Sequence, residues 1–237
     1  MELQELSLIS LVGQLRFAPS PLYPDVRGRL IRELGEGLSL PHWGWGDEVV
    51  NLHNEPRTWT LIAGHKEARV QFSRVEDVDA ILDVSSQFFR RALNLLEVSE
   101  VAFVGVRTFW AAAVDSFEEL KDSMLSSLGS PALHALVEAT GTPTSDLGWA
   151  VECHGQNPRH MFRFGPMKRE QASAQAMPNA PVDDLPESFL FLDLDRNYHE
   201  QTDEPALAVE RWVKSAGRNL EIADEMSKLL TGAGAIR

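Results

Sequence analysis

Residues 100–110 read Glu-Val-Ala-Phe-Val-Gly-Val-Arg-Thr-Phe-Trp and are the most strand-like stretch of the 237-residue chain. Side chains alternate between the two faces of a strand. The residues that share one face here are Val101, Phe103, Gly105, Arg107 and Phe109. Both faces are largely apolar, which predicts an interior strand of a sheet. The charge of Arg107 either reaches solvent along its apolar stem or pairs with a carboxylate.

A similar stretch near the N-terminus indicates an internal repeat. Residues 11–17 read Leu-Val-Gly-Gln-Leu-Arg-Phe, and residues 103–109 read Phe-Val-Gly-Val-Arg-Thr-Phe. The Gly and the final Phe of the two stretches coincide at an offset of 92 residues, which is 103 minus 11. Matches at a constant offset are the sign of a duplicated structural unit.

The chain after each of these strands follows the same order of patterns. Trp59–Gly64 is echoed by Trp149–Gly155 as the start of a hairpin, and each half ends in a long helix with one apolar stripe. We therefore expect an α+β fold, with a largely antiparallel sheet and helices packed on one face. Two strand–helix–hairpin–helix repeats, at about residues 6–97 and 98–231, form a single domain over residues 1–237 in this prediction.

Composition narrows the expected partners and compartment. The formal net charge is −13, which disfavours nucleic acids and anionic membranes and suits a basic protein partner. Cys153 is the one cysteine, so an intramolecular disulfide is excluded and a reducing compartment is expected. The N-terminus has no signal-peptide pattern and no apolar run has the length of a membrane span, which predicts a cytoplasmic protein.

The stretch from Glu36 to Arg57 is predicted to be a long loop that is rich in His, Trp and acidic residues. Its candidate ligand-binding or partner-binding residues are His42, Trp43, Trp45, Asp47 and His53. The two tryptophans either stack on a ligand or partner or pin the loop to the sheet. The two histidines with Asp47 or Glu48 could supply three metal ligands. Their spacing matches no metal motif, so we predict no metal site and no cofactor.

A second candidate cluster comes from residues 188–195, Ser-Phe-Leu-Phe-Leu-Asp-Leu-Asp, which read as a strand. Its alternation places Asp193 and Asp195 on one face. The two carboxylates could bind a metal or act as acid and base. Alternatively, the strand runs out into solvent at that end. In a third alternative Arg107 neutralises one of the two aspartates across the sheet, as a structural device that is costly to break on one side only.

Three motifs carry a resemblance to a known family. They are Val-Gly-Gln-Leu-Arg-Phe-Ala-Pro-Ser-Pro (12–21), Phe-Val-Gly-Val-Arg-Thr-Phe-Trp (103–110) and Phe-Leu-Phe-Leu-Asp-Leu-Asp-Arg-Asn-Tyr (189–198). Together they resemble a sporadically distributed family of uncharacterised bacterial proteins of about this length. The sequence departs from the family at Thr108, where an aromatic residue is usual. The resemblance implies a shared architecture with a long C-terminal helix, and it implies no activity.

The functional expectation follows mainly from motifs that the sequence lacks, since it has no P-loop, G-x-G-x-x-G, G-x-S-x-G or Cys/His metal spacing. We therefore expect a non-enzymatic cytoplasmic protein-interaction module in a bacterial defence or toxin-neutralising setting. The alternative is a small-ligand-binding or metal-binding protein, or an enzyme, that uses the stretch 36–57. A third possibility is a homo-oligomer that pairs through an open sheet edge.

Overall fold

The structure, a computed structural model, describes five segments of the chain: residues 4–55, 57–142, 144–154, 157–174 and 182–232. In these segments the strands are β1 (Ser7–Phe17), β2 (His42–Trp45), β3 (Val49–His53), β4 (Trp59–Gly64), β5 (Glu67–Ser73), β6 (Val101–Ala113), β7 (Trp149–His154), β8 (Arg159–Lys168) and β9 (Ser188–Tyr198). The helices are α1 (Tyr23–Gly37), α2 (Val78–Leu95), α3 (Phe117–Leu128), α4 (Pro131–Thr140), α5 (Arg169–Ala174) and α6 (Pro205–Gly232), and a 3₁₀ turn spans Val182–Asp184.

One antiparallel sheet contains all nine described strands, in the order β2-β3-β4-β5-β1-β6-β9-β8-β7. The prediction of an α+β fold with a largely antiparallel sheet is therefore confirmed. β6, the strand of the Val101–Trp110 stretch, lies between β1 and β9, so its prediction as an interior strand is also confirmed. Its two apolar faces are both used: Val104 and Val106 belong to the core beneath the helices, and Phe109 and Ala111 belong to a smaller apolar patch on the opposite face.

Helices α1, α2, α3 and α6 pack on one face of this sheet. Leu11 and Leu15 of β1 are buried against Phe89 of α2 and Trp212 of α6, while Leu120 of α3 belongs to a second core over β9. The apolar stripe of α2 begins after an N-cap in which the Asp77 carboxylate accepts a hydrogen bond from the Ala80 N–H at 2.9 Å. The helix layer therefore follows from amphipathic patterning.

The opposite face of the sheet, here called the open face, is covered only in part. The buried residues of its small apolar patch come from β6, β8, β9, α5 and the position after the 3₁₀ turn; they are Phe109, Ala111, Met167, Phe189, Ala172 and Leu185. Elsewhere on this face, polar and charged side chains of the strands lie beneath no described helix. None of the described helices is long and apolar enough to cross a membrane.

The prediction of a long loop at residues 36–57 is wrong, because most of this stretch forms the hairpin of β2 and β3. Trp43 lies opposite Leu52, and Trp45 lies opposite Val50. The turn between them closes with a hydrogen bond from the Gly46 N–H to the Val49 carbonyl at 2.8 Å. Tryptophan and valine favour strands, and β3 gains a long-range partner in β4, which outweighs the local preference of glycine for irregular backbone.

Apart from the edge strand β2, the described strand order is symmetric about the β1–β6 pair, with three strands on each side, but the offset of 92 residues does not follow that symmetry. Gly13 faces the helix layer and Gly105 faces the open face, where its neighbour is the Phe103 ring. The offset of 92 residues matches β4 to β7 and β5 to β8. In the sheet, however, β4 and β8 are the strands that lie equally far from the β1–β6 pair. The duplication stays a prediction, and the structure does not follow its residue-by-residue alignment.

The central strand β1 and the helix α6 approach each other closely at Gly13. A Cβ atom there would lie 2.2 Å from Nε1 and 2.6–2.7 Å from two ring carbons of Trp212. Trp212 is fully buried and meets the Phe89 ring edge-on at 5.2 Å between centroids. The indole therefore has no free space into which it could move, and only glycine permits this packing.

We expect Gly13→Ala to destabilise the protein by about 1–3 kcal/mol, because the added methyl overlaps a buried ring that is held on its other side. Urea unfolding measures the change. Gly28→Ala in α1 is the matched control: no atom lies within 4 Å of its new Cβ, so it should stabilise by about 0.5–1 kcal/mol through helix propensity. Equal stability of the two variants would contradict this packing.

Candidate functional site

The edge strand β2 presents two tryptophans to solvent. The rings of Trp43 and Trp45 stack with centroids 5.3 Å apart at 13°. Their exposed fractions are 51% and 62%, so the alternative in which they pin a loop to the sheet is wrong. A cleft of about 480 Å³ between α1 and the hairpin is lined by Trp43, Arg32, Glu36 and Leu40 among others. The two indoles thus form an exposed aromatic surface at one edge of the sheet.

The two histidines of the hairpin lie together, but the acidic residues of its turn lie away from them. His42 and His53 are opposite each other in register, with ring centroids 5.2 Å apart at 15°. Nε2 of His42 is 3.5 Å from a carboxylate oxygen of Glu55. Asp47 lies in the turn at the other end of β2. Among the described residues, no three His, Cys, Asp or Glu side chains are grouped to hold a metal ion.

Arg107 and Asp193 form a bidentate ion pair on the open face. Nε and a terminal nitrogen of Arg107 donate to the two carboxylate oxygens of Asp193 at 2.8 and 2.7 Å. The Asp193 side chain is 8% exposed and the Arg107 side chain is 37% exposed. This contact is the one that the third alternative from the sequence describes, in which Arg107 neutralises one of the two aspartates; its role as a structural device stays a prediction. Paired forks of this kind are strong and directional.

The second aspartate, Asp195, lies directly opposite Arg107 in register but does not pair with it. Burial raises the pKa of the Asp195 carboxyl, and the Asn197 amide and the Arg107 charge offset only part of that rise. The amide nitrogen of Asn197 donates to Asp195 at 3.4 Å. Asp195 is therefore a carboxyl that holds its proton to a higher pH than a free aspartate does, beside an ion pair that is already satisfied.

The hairpin and this charge cluster share one row of the open face. In successive strands from β2 to β7, the row contains His42, His53, Thr60, Gln71, Val12, Arg107, Asp195, Met161 and Glu152. Four strand spacings separate His53 from Arg107, which is about 19 Å at about 4.8 Å per spacing. His42 and His53 therefore face the same side of the sheet as Arg107 and Asp195 without forming a single pocket with them. Trp43 and Trp45 lie on the other face, opposite Leu52 and Val50 of the core beneath the helices.

The structure also contains a site that the sequence pattern did not reveal, here called the cationic cleft. It has a volume of about 650 Å³ and lies between α6 and strands β7, β8 and β9. Its lining includes Cys153, His160, Phe162, Arg196, Lys214 and Arg218. These residues come from four elements, so no linear motif joins them. The one local signal is Gly217, a glycine in the interior of a long helix.

Comparison with known protein families and with curated proteins gives no match for this chain. The resemblance to a family of uncharacterised bacterial proteins therefore stays a prediction.

A double-mutant cycle tests the ion pair. We expect Arg107→Met alone to cost about 2–3 kcal/mol in urea unfolding, because it leaves the buried carboxylate of Asp193 without a partner. This is less than for a fully buried pair, since the Arg107 side chain is 37% exposed. Arg107→Met combined with Asp193→Leu should lie within about 1 kcal/mol of wild type.

The matched control for this cycle is Arg29→Met, which removes an exposed pair with Glu33 on α1. It should cost less than about 0.5 kcal/mol. If Arg107→Met were as mild as this control, the Arg107–Asp193 pair would not be the structural device inferred here.

The raised pKa of Asp195 predicts a pH-dependent stability. Between the ordinary aspartate pKa, about 4, and the raised pKa, the folded protein holds a proton that the unfolded chain has released. The bound proton makes its full contribution to the free energy of unfolding below about pH 4, and this contribution is lost as the pH rises through the raised pKa. Asp195→Asn cannot ionise, so its stability relative to wild type should increase with pH across that window. Urea unfolding from about pH 4 to 8 measures it; a constant difference would contradict the prediction.

Proposed function

We propose that this protein is a protein-interaction module that binds a basic, extended segment of a partner at the edge strand β2. The observation that carries the proposal is the stacked, exposed pair Trp43 and Trp45. Tryptophan is enriched among the residues that dominate binding energy at protein interfaces. A stacked pair is also rigid, so little side-chain freedom is lost when a partner covers it.

The position of this pair supports an extended partner. β2 lies at one end of the sheet order, and β3 is its only neighbour among the strands that the structure describes. The outer side of such an edge offers backbone N–H and C=O groups to a further strand. Partner segments that add a strand in this way obtain affinity from main-chain hydrogen bonds and specificity from side-chain contacts. In this arrangement the two indoles would make the side-chain contacts.

The charges around β2 support a basic partner. Asp47 and Glu48 lie in the hairpin turn, Glu55 follows β3, and Glu36 borders the cleft beside Trp43. The nearby cations include Lys66, with its Nζ atom 3.9 Å from the Glu48 carboxylate, and Arg32, which borders the same cleft as Glu36. Together with the formal net charge of −13, this acidic surrounding would attract a basic segment and speed its encounter. The cellular setting, including the predicted role in defence or toxin neutralisation, is a separate proposal.

The test is quantitative capture of partners by the immobilised protein from a lysate of its natural host, with mass spectrometry of the bound proteins. We expect wild type to capture a basic protein and Trp43→Ser/Trp45→Ser to retain at least tenfold less of it. Loss of a hot-spot tryptophan costs at least about 2 kcal/mol, and about 1.4 kcal/mol is tenfold in affinity.

The matched control is Leu136→Ser/Val151→Ser, which also replaces two exposed apolar side chains, on α4 and on β7 at the other end of the sheet. It should capture the partner as wild type does. Equal loss in both variants would contradict a site at β2. Light scattering of the purified protein supplies a further outcome, because a dimer that the Trp43/Trp45 variant dissociates would mean that β2 pairs with a second copy.

A further inference from the structure

We propose that the cationic cleft between α6 and strands β7–β9 binds a small phosphate-bearing molecule. This site is separate from the β2 edge and does not depend on the function proposed there. The sheet contributes His160, Phe162 and Arg196 to the cleft, and α6 contributes Lys214 and Arg218. Its volume of about 650 Å³ lies in the range of pockets that hold small molecules.

The charge of this cleft is opposite to that of the protein as a whole. Arg196, Lys214 and Arg218 line it together with one acid, Glu221, although the chain carries a formal net charge of −13. Glu221 accepts a hydrogen bond from Arg218 at 2.8 Å on the same helix, and a carboxylate oxygen of Glu225 lies 3.8 Å from the same Arg218 nitrogen. Across the described part of the chain, Lys214 makes no ion pair, so its charge is available to a ligand.

Arg196 has unused hydrogen-bonding capacity. One terminal nitrogen donates to the Tyr198 hydroxyl at 3.4 Å, which is a long contact. Its Nε atom is buried and has no hydrogen-bond partner among the described residues. A buried N–H of a charged group without a partner is unfavourable, and such groups in native structures call for an explanation such as an ion or a ligand.

His160 is affected by these cations. Burial is the main cause that lowers its pKa, and the charges of Arg196 and Arg218 lower it further. Both guanidinium groups therefore act on the same point within the cleft. An anion bound beside His160 would favour the imidazolium form and reverse this part of the shift.

Gly217 leaves space in the cleft on the side of α6, because it has no side chain. It lies inside α6, where glycine is among the least favourable residues. A Cβ built on it meets no atom within 4 Å, so packing does not require glycine there. Any larger residue would extend into the cleft, whose other apolar surface comes from Phe162 and Ile222.

The combination of donors favours phosphate over other anions. Arginine offers a planar fork that binds two oxygens at once, while lysine offers a mobile point charge. A phosphate group carries enough oxygens and charge to engage several such donors together. The Phe162 ring, parallel to His160 with centroids 6.0 Å apart, would then contact the organic part of the ligand. The acidity of the whole chain opposes long polyanions, so the proposal is restricted to small molecules.

The experiment is calorimetric titration of the full-length protein with pyrophosphate at low ionic strength. We expect wild type to bind and Lys214→Gln/Arg218→Gln to bind about 100-fold more weakly, at about tenfold for each lost charged contact. Gly217→Leu keeps every charge but fills the cleft, and it should weaken binding at least about tenfold. The matched control, Arg29→Gln/Arg32→Gln on α1, removes the same charge elsewhere and should bind within about twofold of wild type.

NMR titration of the His160 imidazole, assigned by comparison with His160→Gln, supplies an independent measure. We expect pyrophosphate, compared with chloride at equal ionic strength, to raise the pKa of His160. The proposal would be overturned by absence of binding to wild type, by equal weakening in the α1 control, or by unchanged binding in Gly217→Leu.

Two further arms complete the test. Vesicles that contain anionic lipid should not bind the protein. Binding of the protein to these vesicles but not to pyrophosphate would overturn the proposal of a small-molecule ligand. Trp43→Ser/Trp45→Ser should bind pyrophosphate as wild type does, so that failure of this proposal is distinguishable from failure of the proposed β2 interface.

Discussion

The contact between Gly13 of β1 and the Trp212 indole of α6 is the constraint on which the helix layer depends. A strand without a side chain at this point allows the helix to lie directly on the sheet, and the ring edge of Trp212 then meets Phe89 of α2. Farther along α6, the Asn219 amide donates to the Leu194 carbonyl of β9 at 3.2 Å. One helix therefore bridges strands from both halves of the chain, and its turns from Lys214 to Ile222 form one wall of the cationic cleft.

The parts of the fold that were predictable from sequence are those in which periodicity is uninterrupted. Alternation along Val101–Trp110 indicated an interior strand, and alternation in residues 188–195 placed two aspartates on the face of Arg107. Which aspartate pairs with Arg107 was not predictable, since Asp195 is the neighbour in register but Asp193 is the diagonal one. That choice depends on how the long guanidinium side chain leans across the sheet, which no local pattern encodes.

The errors have equally local causes. Residues 36–57 contain several glycines and prolines, so they read as a loop, but pairing of β3 with β4 supplies hydrogen bonds that local propensity ignores. The cationic cleft was not predictable because Arg196 and Lys214 belong to different elements that meet only in the folded protein. The repeat was aligned on glycine, although Gly13 is required by a tryptophan and Gly105 lies on the opposite face.

The place of β9 in the sheet also governs how the protein is assembled during synthesis. β1 and β5 can pair once residue 73 has emerged, but β7 and β8 reach the rest of the sheet only through β9, which begins at Ser188. Until then β6 has one unpaired edge, and such edges recruit other chains. A chain that stalls on the ribosome before Ser188 would therefore have an unpaired edge on β6 and would also lack α6, which covers the core of the first half, so it would be prone to aggregate.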